Sequence, residues 1–125
     1  MILVDSSVWI NHLRAPDERL LGLLDAEEVL GHPFVTGEIA LGSLPHRRRD
    51  AVLRDLQDLP QAVVASNEEV LDLINELPLY GRGIGYVDAH LLAAVRLTPE
   101  ARLWTNERRL RAVAAELGVA AMLPH

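Results

Sequence analysis

The chain opens on four consecutive apolar residues, Met1–Val4, halted by Asp5. An apolar run without alternation is the pattern of a strand buried on both faces of a parallel sheet. Similar short runs recur at Val29–Leu30, Ala62–Ala65, Arg102–Thr105 and Val119–Leu123. Between them the apolar positions fall at helical spacing. One helix is predicted to Leu13, with Ser6 and Ser7 offering an N-cap. A second runs from Pro16 and Asp17 to Leu24. A third starts at Pro33, a proline suited to a first turn, and reaches Leu44, with Gly42 and Pro45 marking its exit. Further helices are predicted over Arg47–Leu59, from the Ser66/Glu69 capping-box pattern to Leu77, over Tyr86–Leu97, and over Glu107–Leu117 with Gly118 as its stop. Pro78–Gly85 holds three glycines and reads as a loop. Short apolar strands alternating with helices predict a three-layer α/β domain with a mainly parallel central sheet. No repeat or linker divides the 125 residues, so a single domain over 1–125 is expected.

Composition narrows the chemistry. Half the residues are apolar and 24% are charged, which excludes a disordered chain. The absence of Cys excludes a disulfide framework, a thiolate zinc site and a cysteine nucleophile. All twelve basic residues are Arg, so P-loop nucleotide binding, receiver-domain chemistry and any catalytic lysine are excluded too. No basic segment precedes the first apolar run, and no apolar stretch approaches the roughly 18 residues that span a bilayer. A cytoplasmic protein without a membrane span is expected. The formal net charge is −6, unevenly spread: residues 1–77 carry −8 and residues 78–125 carry +2. An acidic chain is a poor nonspecific binder of nucleic acid, yet a local arginine surface still engages phosphate.

Four acids stand in apolar company. Asp5 ends the first strand, and the carboxyl ends of parallel strands are where open α/β sheets place their sites; the blander reading of the local sequence makes it a helix N-cap. Glu38 is the one charge in FVTGEIALGSL, with Phe34 and Val35 four and three before it and Leu41 three after, a spacing that puts it on an apolar helix face. Asp88 repeats this in GIGYVDAHLLAAV, with Ile84 four before it and Leu91 and Leu92 after it. Glu107 follows the strand RLWT in the first turn of a helix, where the macrodipole also favours an acid. A buried carboxylate needs an Arg, donors or a metal. A parallel sheet could gather all four acids at one edge, where they would repel unless a cation sat among them. Oxygen-only donors favour Mg²⁺ or Mn²⁺ over zinc. Such an ion activates water against a phosphodiester with no side-chain nucleophile.

The blocks MILVDSSVWI, PFVTGEIALGSL, GRGIGYVDAHLLAAV and LWTNERRLRAVA, in this order from Met1 to about Ala115, resemble a PIN domain of the VapC toxin type. The resemblance implies an α/β/α sandwich and a Mg²⁺- or Mn²⁺-dependent endoribonuclease. It also implies the toxin of a type II toxin–antitoxin module, commonly dimeric and neutralised by a small cognate antitoxin of VapB type. By the same resemblance Asp5 and Asp88 are the principal metal ligands, and Glu38 supports the metal directly or through water. Glu107 stands where the family usually has Asp, one methylene shorter, so it reaches the metal through water or shares its role with Asn106. Ser6 and Thr105 match hydroxyls that orient the acids, and serve equally as caps.

Arg82, Arg108 and Arg109 are candidates for contacts to the RNA backbone, since guanidinium pairs bidentately with phosphate; solvation and ion pairing account for them equally well. Arg47–Arg49 reads as a solvated face or an antitoxin contact. His90, two residues after Asp88, points away from it on a helix and reads as structural; His12, His32, His46 and His125 show no ligand spacing. Trp9 and the leucines near Leu20–Leu24 and Leu53–Leu59 suit either core packing or a groove for an antitoxin helix. The five scattered aromatics do not suggest a base-stacking platform. A dehalogenase-type phosphatase is disfavoured, because its second Asp would fall at Ser7 and its lysine is absent. The altered fourth acid keeps one rival open: a catalytically weak or inactive PIN module that binds a protein partner or RNA.

Overall fold

The computed structural model describes residues 1–123, so His125 lies outside the described residues. Strand β1 (Ile2–Val4) is central, paired in parallel with β2 (Val29–Leu30) on one side and β3 (Arg102–Trp104) on the other. Successive strand residues point to opposite faces. Leu3 and Val4 are both fully buried, and Leu103 and Trp104 nearly so, so helices cover the sheet on both faces. This is the three-layer α/β arrangement expected from the sequence.

Two expected strands are reduced to single bridges. Gln61 pairs in parallel with Gly31, and the Ala62 N–H bonds the Gly31 carbonyl at 2.9 Å, but β2 ends at Leu30 and the ladder goes no further; the Val63 N–H, on the opposite side of the segment, bonds the Thr98 hydroxyl at 2.9 Å. Ala120 pairs with Leu103 and the run to Leu123 goes no further, because β3 itself ends at Trp104.

Seven helices fill the connections among the described residues: α1 (Ser6–Arg14), α2 (Glu18–Asp25), α3 (Pro33–Ala40), α4 (His46–Asp58), α5 (Asn67–Glu76), α6 (Tyr86–Leu97) and α7 (Arg108–Glu116). The N-cap of α1 is Asp5, accepting from the Ser6 N–H, rather than either serine. The α3 helix stops at Ala40, four residues short of Leu44, since Gly42 and Pro45 favour a turn and leave Leu41 exposed. The α5 capping box forms as the sequence specifies, with Ser66 and Glu69 bonding each other's backbone N–H. Gly118 follows α7 at a positive φ of 72°, the left-handed stop that glycine adopts without strain.

A stack of rings separates α3 from α6. The His90 ring lies 4.6 Å from Phe34 and 4.8 Å from Tyr86, and Phe34 lies 5.3 Å from His32. His32 and His90 are both buried. The His32 Nδ1 accepts from the Phe34 N–H and caps α3. Burial, with His90 beside it, pushes the His32 pKa down to about 4, and burial lowers that of His90. Both imidazoles are therefore neutral packing groups at neutral pH. They set the spacing of the two helices that carry Glu38 and Asp88.

Candidate active site

Asp5 is fixed by its neighbours more tightly than any other acid described. Only 3% of its surface is exposed. Its Oδ1 accepts from the Ser6 N–H at 2.8 Å. Its Oδ2 accepts from two hydroxyls, Ser7 at 2.8 Å and Thr105 at 2.7 Å. The first comes from the start of α1 and the second from the residue after β3. Because β1 and β3 are parallel neighbours, their ends leave the sheet side by side, and the Asp5 N–H itself bonds the Trp104 carbonyl at 2.9 Å.

Glu38 sits near the end of α3, and the Ser6 hydroxyl donates to its Oε1 at 3.3 Å. The apolar face expected for it belongs instead to Val35 and Ile39, which are buried, whereas Glu38 is exposed at the rim. A carboxylate with one weak donor stays at the surface because burial would leave it uncompensated. Its pKa is nevertheless raised, first by partial desolvation, then by the charges of Asp5, Asp88 and Glu107, with the Ser6 bond opposing. Asp88, half-buried on the first turn of α6, accepts from the Gly85 N–H at 3.0 Å. Its pKa is raised by desolvation and by Asp5, against the lowering effect of that bond. Glu107 is the N-cap residue of α7 rather than part of its first turn, and is exposed. Its backbone N–H donates to Thr105 Oγ1 at 3.0 Å, and that of Asn106 to Ser7 Oγ at 3.0 Å.

Glu38 thus lies in the field of the other three acids expected from sequence, and Asp88 in that of Asp5, at one edge of the sheet. Arginine pairing does not account for them: among the described residues the ion pairs are Arg19–Asp17, Arg49–Asp50 and Arg82–Glu116. The donor set is all oxygen and its repulsion is uncompensated, which fits a hard divalent cation. Among the described residues, no three His, Asp or Glu side chains stand together closely enough to hold one ion between them as placed.

Of the arginines singled out, Arg82 is bound to both carboxylate oxygens of Glu116, at 2.9 and 3.0 Å. Arg109 packs over Gly83, whose φ of 77° and lack of a side chain leave room for the guanidinium. Arg108 is exposed on the first turn of α7. Ser7 was not singled out as a site residue by sequence. The signal was the second hydroxyl of the Asp-Ser-Ser run, which local reading assigns to capping.

The PIN domain family model matches residues 2–116. The chain belongs to the PIN-domain family. Within it, the chain is 53% identical over 120 residues to Ribonuclease VapC32 of Mycobacterium tuberculosis, in strain CDC 1551 / Oshkosh and in strain H37Rv alike; the match covers 96% of this chain and 95% of that protein. This PIN domain is therefore of the VapC type, as the order of its four sequence blocks implied. No described helix is long and apolar enough to cross a membrane.

Proposed function

We propose that this PIN domain is the endoribonuclease toxin of a type II toxin–antitoxin module, dependent on Mg²⁺ or Mn²⁺. The observation that carries the reading is the hydrogen-bond cluster at the ends of β1 and β3, where Ser6 joins Asp5 to Glu38 while Ser7 and Thr105 join Asp5 to the Asn106–Glu107 backbone, in a chain 53% identical over 120 residues to Ribonuclease VapC32. Asp5 and Asp88 would hold the ion, Glu38 would support it directly or through water, and Glu107 would reach it through water or share its role with Asn106. A bound divalent ion supplies Lewis acidity toward water and neutralises charge on the phosphodiester.

The chain's own residues do the positioning. Ser6, Ser7 and Thr105 hold Asp5 with its two oxygens directed, and Ser6 links it to Glu38. The Gly85 N–H orients Asp88 through one oxygen, and among the described residues the other accepts no hydrogen bond. Arg108 and Arg109 lie beyond Glu107 and supply the phosphate contacts. A small antitoxin of VapB type and a second copy of the chain are the expected partners.

Cleavage of an RNA oligonucleotide with Mn²⁺, with and without EDTA, tests this beside a calorimetric Mn²⁺ titration. Cutting that requires the metal is expected. RNA or protein binding with no metal affinity and no cutting would replace it with the non-catalytic module, a reading favoured by the exposed Glu107 in the usual place of Asp.

A further inference from the structure

The two hydroxyls on Asp5 do more than hold that residue. A hydroxyl carries one proton and two lone pairs, whereas a backbone N–H only donates. Ser7 Oγ accepts from the Asn106 N–H, so its own proton is free for Asp5 Oδ2 at 2.8 Å. Thr105 Oγ1 accepts from the Glu107 N–H in the same way, and its proton goes to the same oxygen at 2.7 Å. The two hydroxyl oxygens approach to 3.4 Å, but neither has a proton left for the other. Every proton in the group therefore has one assignment.

We propose that Ser7 is a positioning residue which, paired with Thr105, couples the setting of Asp5 to that of the Asn106–Glu107 segment. Asp5 is the common acceptor, and each hydroxyl ties one consecutive backbone N–H of that segment to it. Asp5 and the backbone that carries the fourth acid are thereby tied by two separate links, although they lie far apart along the chain. Ser6 extends the unit to Glu38 through its own hydroxyl. The Asp-Ser-Ser run thus touches three of the four acids or their supporting backbone.

The role of Ser7 in catalysis rests on the ribonuclease reading; the coupling itself does not, and amide hydrogen exchange reads it directly. In Ser7→Ala the Asn106 amide loses its acceptor, and its exchange rises about tenfold, as expected for one lost hydrogen bond. The Glu107 amide, still held by Thr105, stays close to its wild-type rate. Thr105→Val, which keeps the side-chain shape, gives the opposite pattern. Ser7→Thr restores the hydroxyl and the Asn106 protection. Unchanged Asn106 exchange in Ser7→Ala, or equal loosening of both amides in either variant, overturns the proposal.

Steady-state cleavage of an RNA oligonucleotide with Mn²⁺ then reads the catalytic consequence. Ser7→Ala lowers kcat about tenfold with KM little changed, and Ser7→Thr recovers it. A kcat loss that Ser7→Thr does not recover, or no loss at all, overturns the positioning role. An inactive wild type with the exchange pattern intact would instead sink the ribonuclease reading and leave the coupling standing.

Discussion

Thr105 donates a hydrogen bond of 2.7 Å to Asp5 although 100 residues separate the two along the chain. With Ser7 on the same oxygen and the Ser6 N–H on the other, Asp5 accepts on both sides. An amide has one acceptor and one donor end, so Asn at this position keeps the Ser6 N–H only by turning its NH2 toward the Ser7 and Thr105 hydroxyls, whose protons then lose their shared acceptor. As a metal ligand, Asp5 is expected to be needed for cleavage, so Asp5→Asn abolishes it. The structure adds a cost: about 1–3 kcal/mol of stability, the range for leaving a buried polar group unsatisfied. Asp88→Asn differs, since its amide oxygen still accepts the Gly85 N–H. Urea unfolding should show Asp5→Asn clearly destabilised and Asp88→Asn close to wild type, both without RNA cleavage.

Glu107 has its backbone fixed by Thr105 and its side chain exposed. The extra methylene is thus accommodated at the rim without displacing anything buried. Glu107→Asp is expected to retain activity or raise it modestly in an RNA cleavage assay. A folded but dead variant would show that the longer side chain is needed.

The raised pKa of Glu38 has a definite sign in stability. A carboxyl that holds its proton more firmly in the folded chain than in the unfolded one makes the folded state bind more protons in that window, so stability falls as pH rises through it. For Glu38 the window lies above the ordinary value of 4.5. Glu38→Gln should therefore melt higher than the wild type at pH 7 without divalent metal, and the gap should narrow on acidification toward 4.5. His32 works in the other direction: held near 4 against an ordinary 6.5, it costs both proteins stability as pH falls, and cancels in the comparison. Melting curves of the two proteins across that pH range check it; a gap that widens on acidification contradicts the assignment.

Arg82 is committed to Glu116, an exposed pair worth about 0–1 kcal/mol. Arg108, exposed at the start of α7, has the better access to phosphate. Arg108→Ala is expected to weaken RNA binding and reduce the salt slope by about one. Arg82→Ala should leave both nearly unchanged. Binding isotherms over a range of salt concentrations measure the two effects.

The sequence by itself determined the helices to within a few residues and the three core strands, and it singled out the four acids, because each carries a local mark. Tyr86–Leu97 forms over the expected residues since its apolar spacing, preceding glycine loop and first-turn acid agree. The Ser66 cap and the Gly118 stop are likewise contacts within a few residues of chain. Tertiary structure decided what depends on a distant partner. Ala62–Ala65 is apolar enough for a strand, but β2 ends at Leu30 and leaves it no ladder to follow beyond the Gly31–Gln61 bridge. Glu38 has the spacing of a buried acid, but Val35 and Ile39 take the core and leave it at the rim. Ser7 is a capping serine until β3 brings Thr105 and Asn106 against it. Hydrogen-bond donors and acceptors are satisfied in three dimensions, so a residue's periodicity places it on a face while its chemistry waits for the strand beside it.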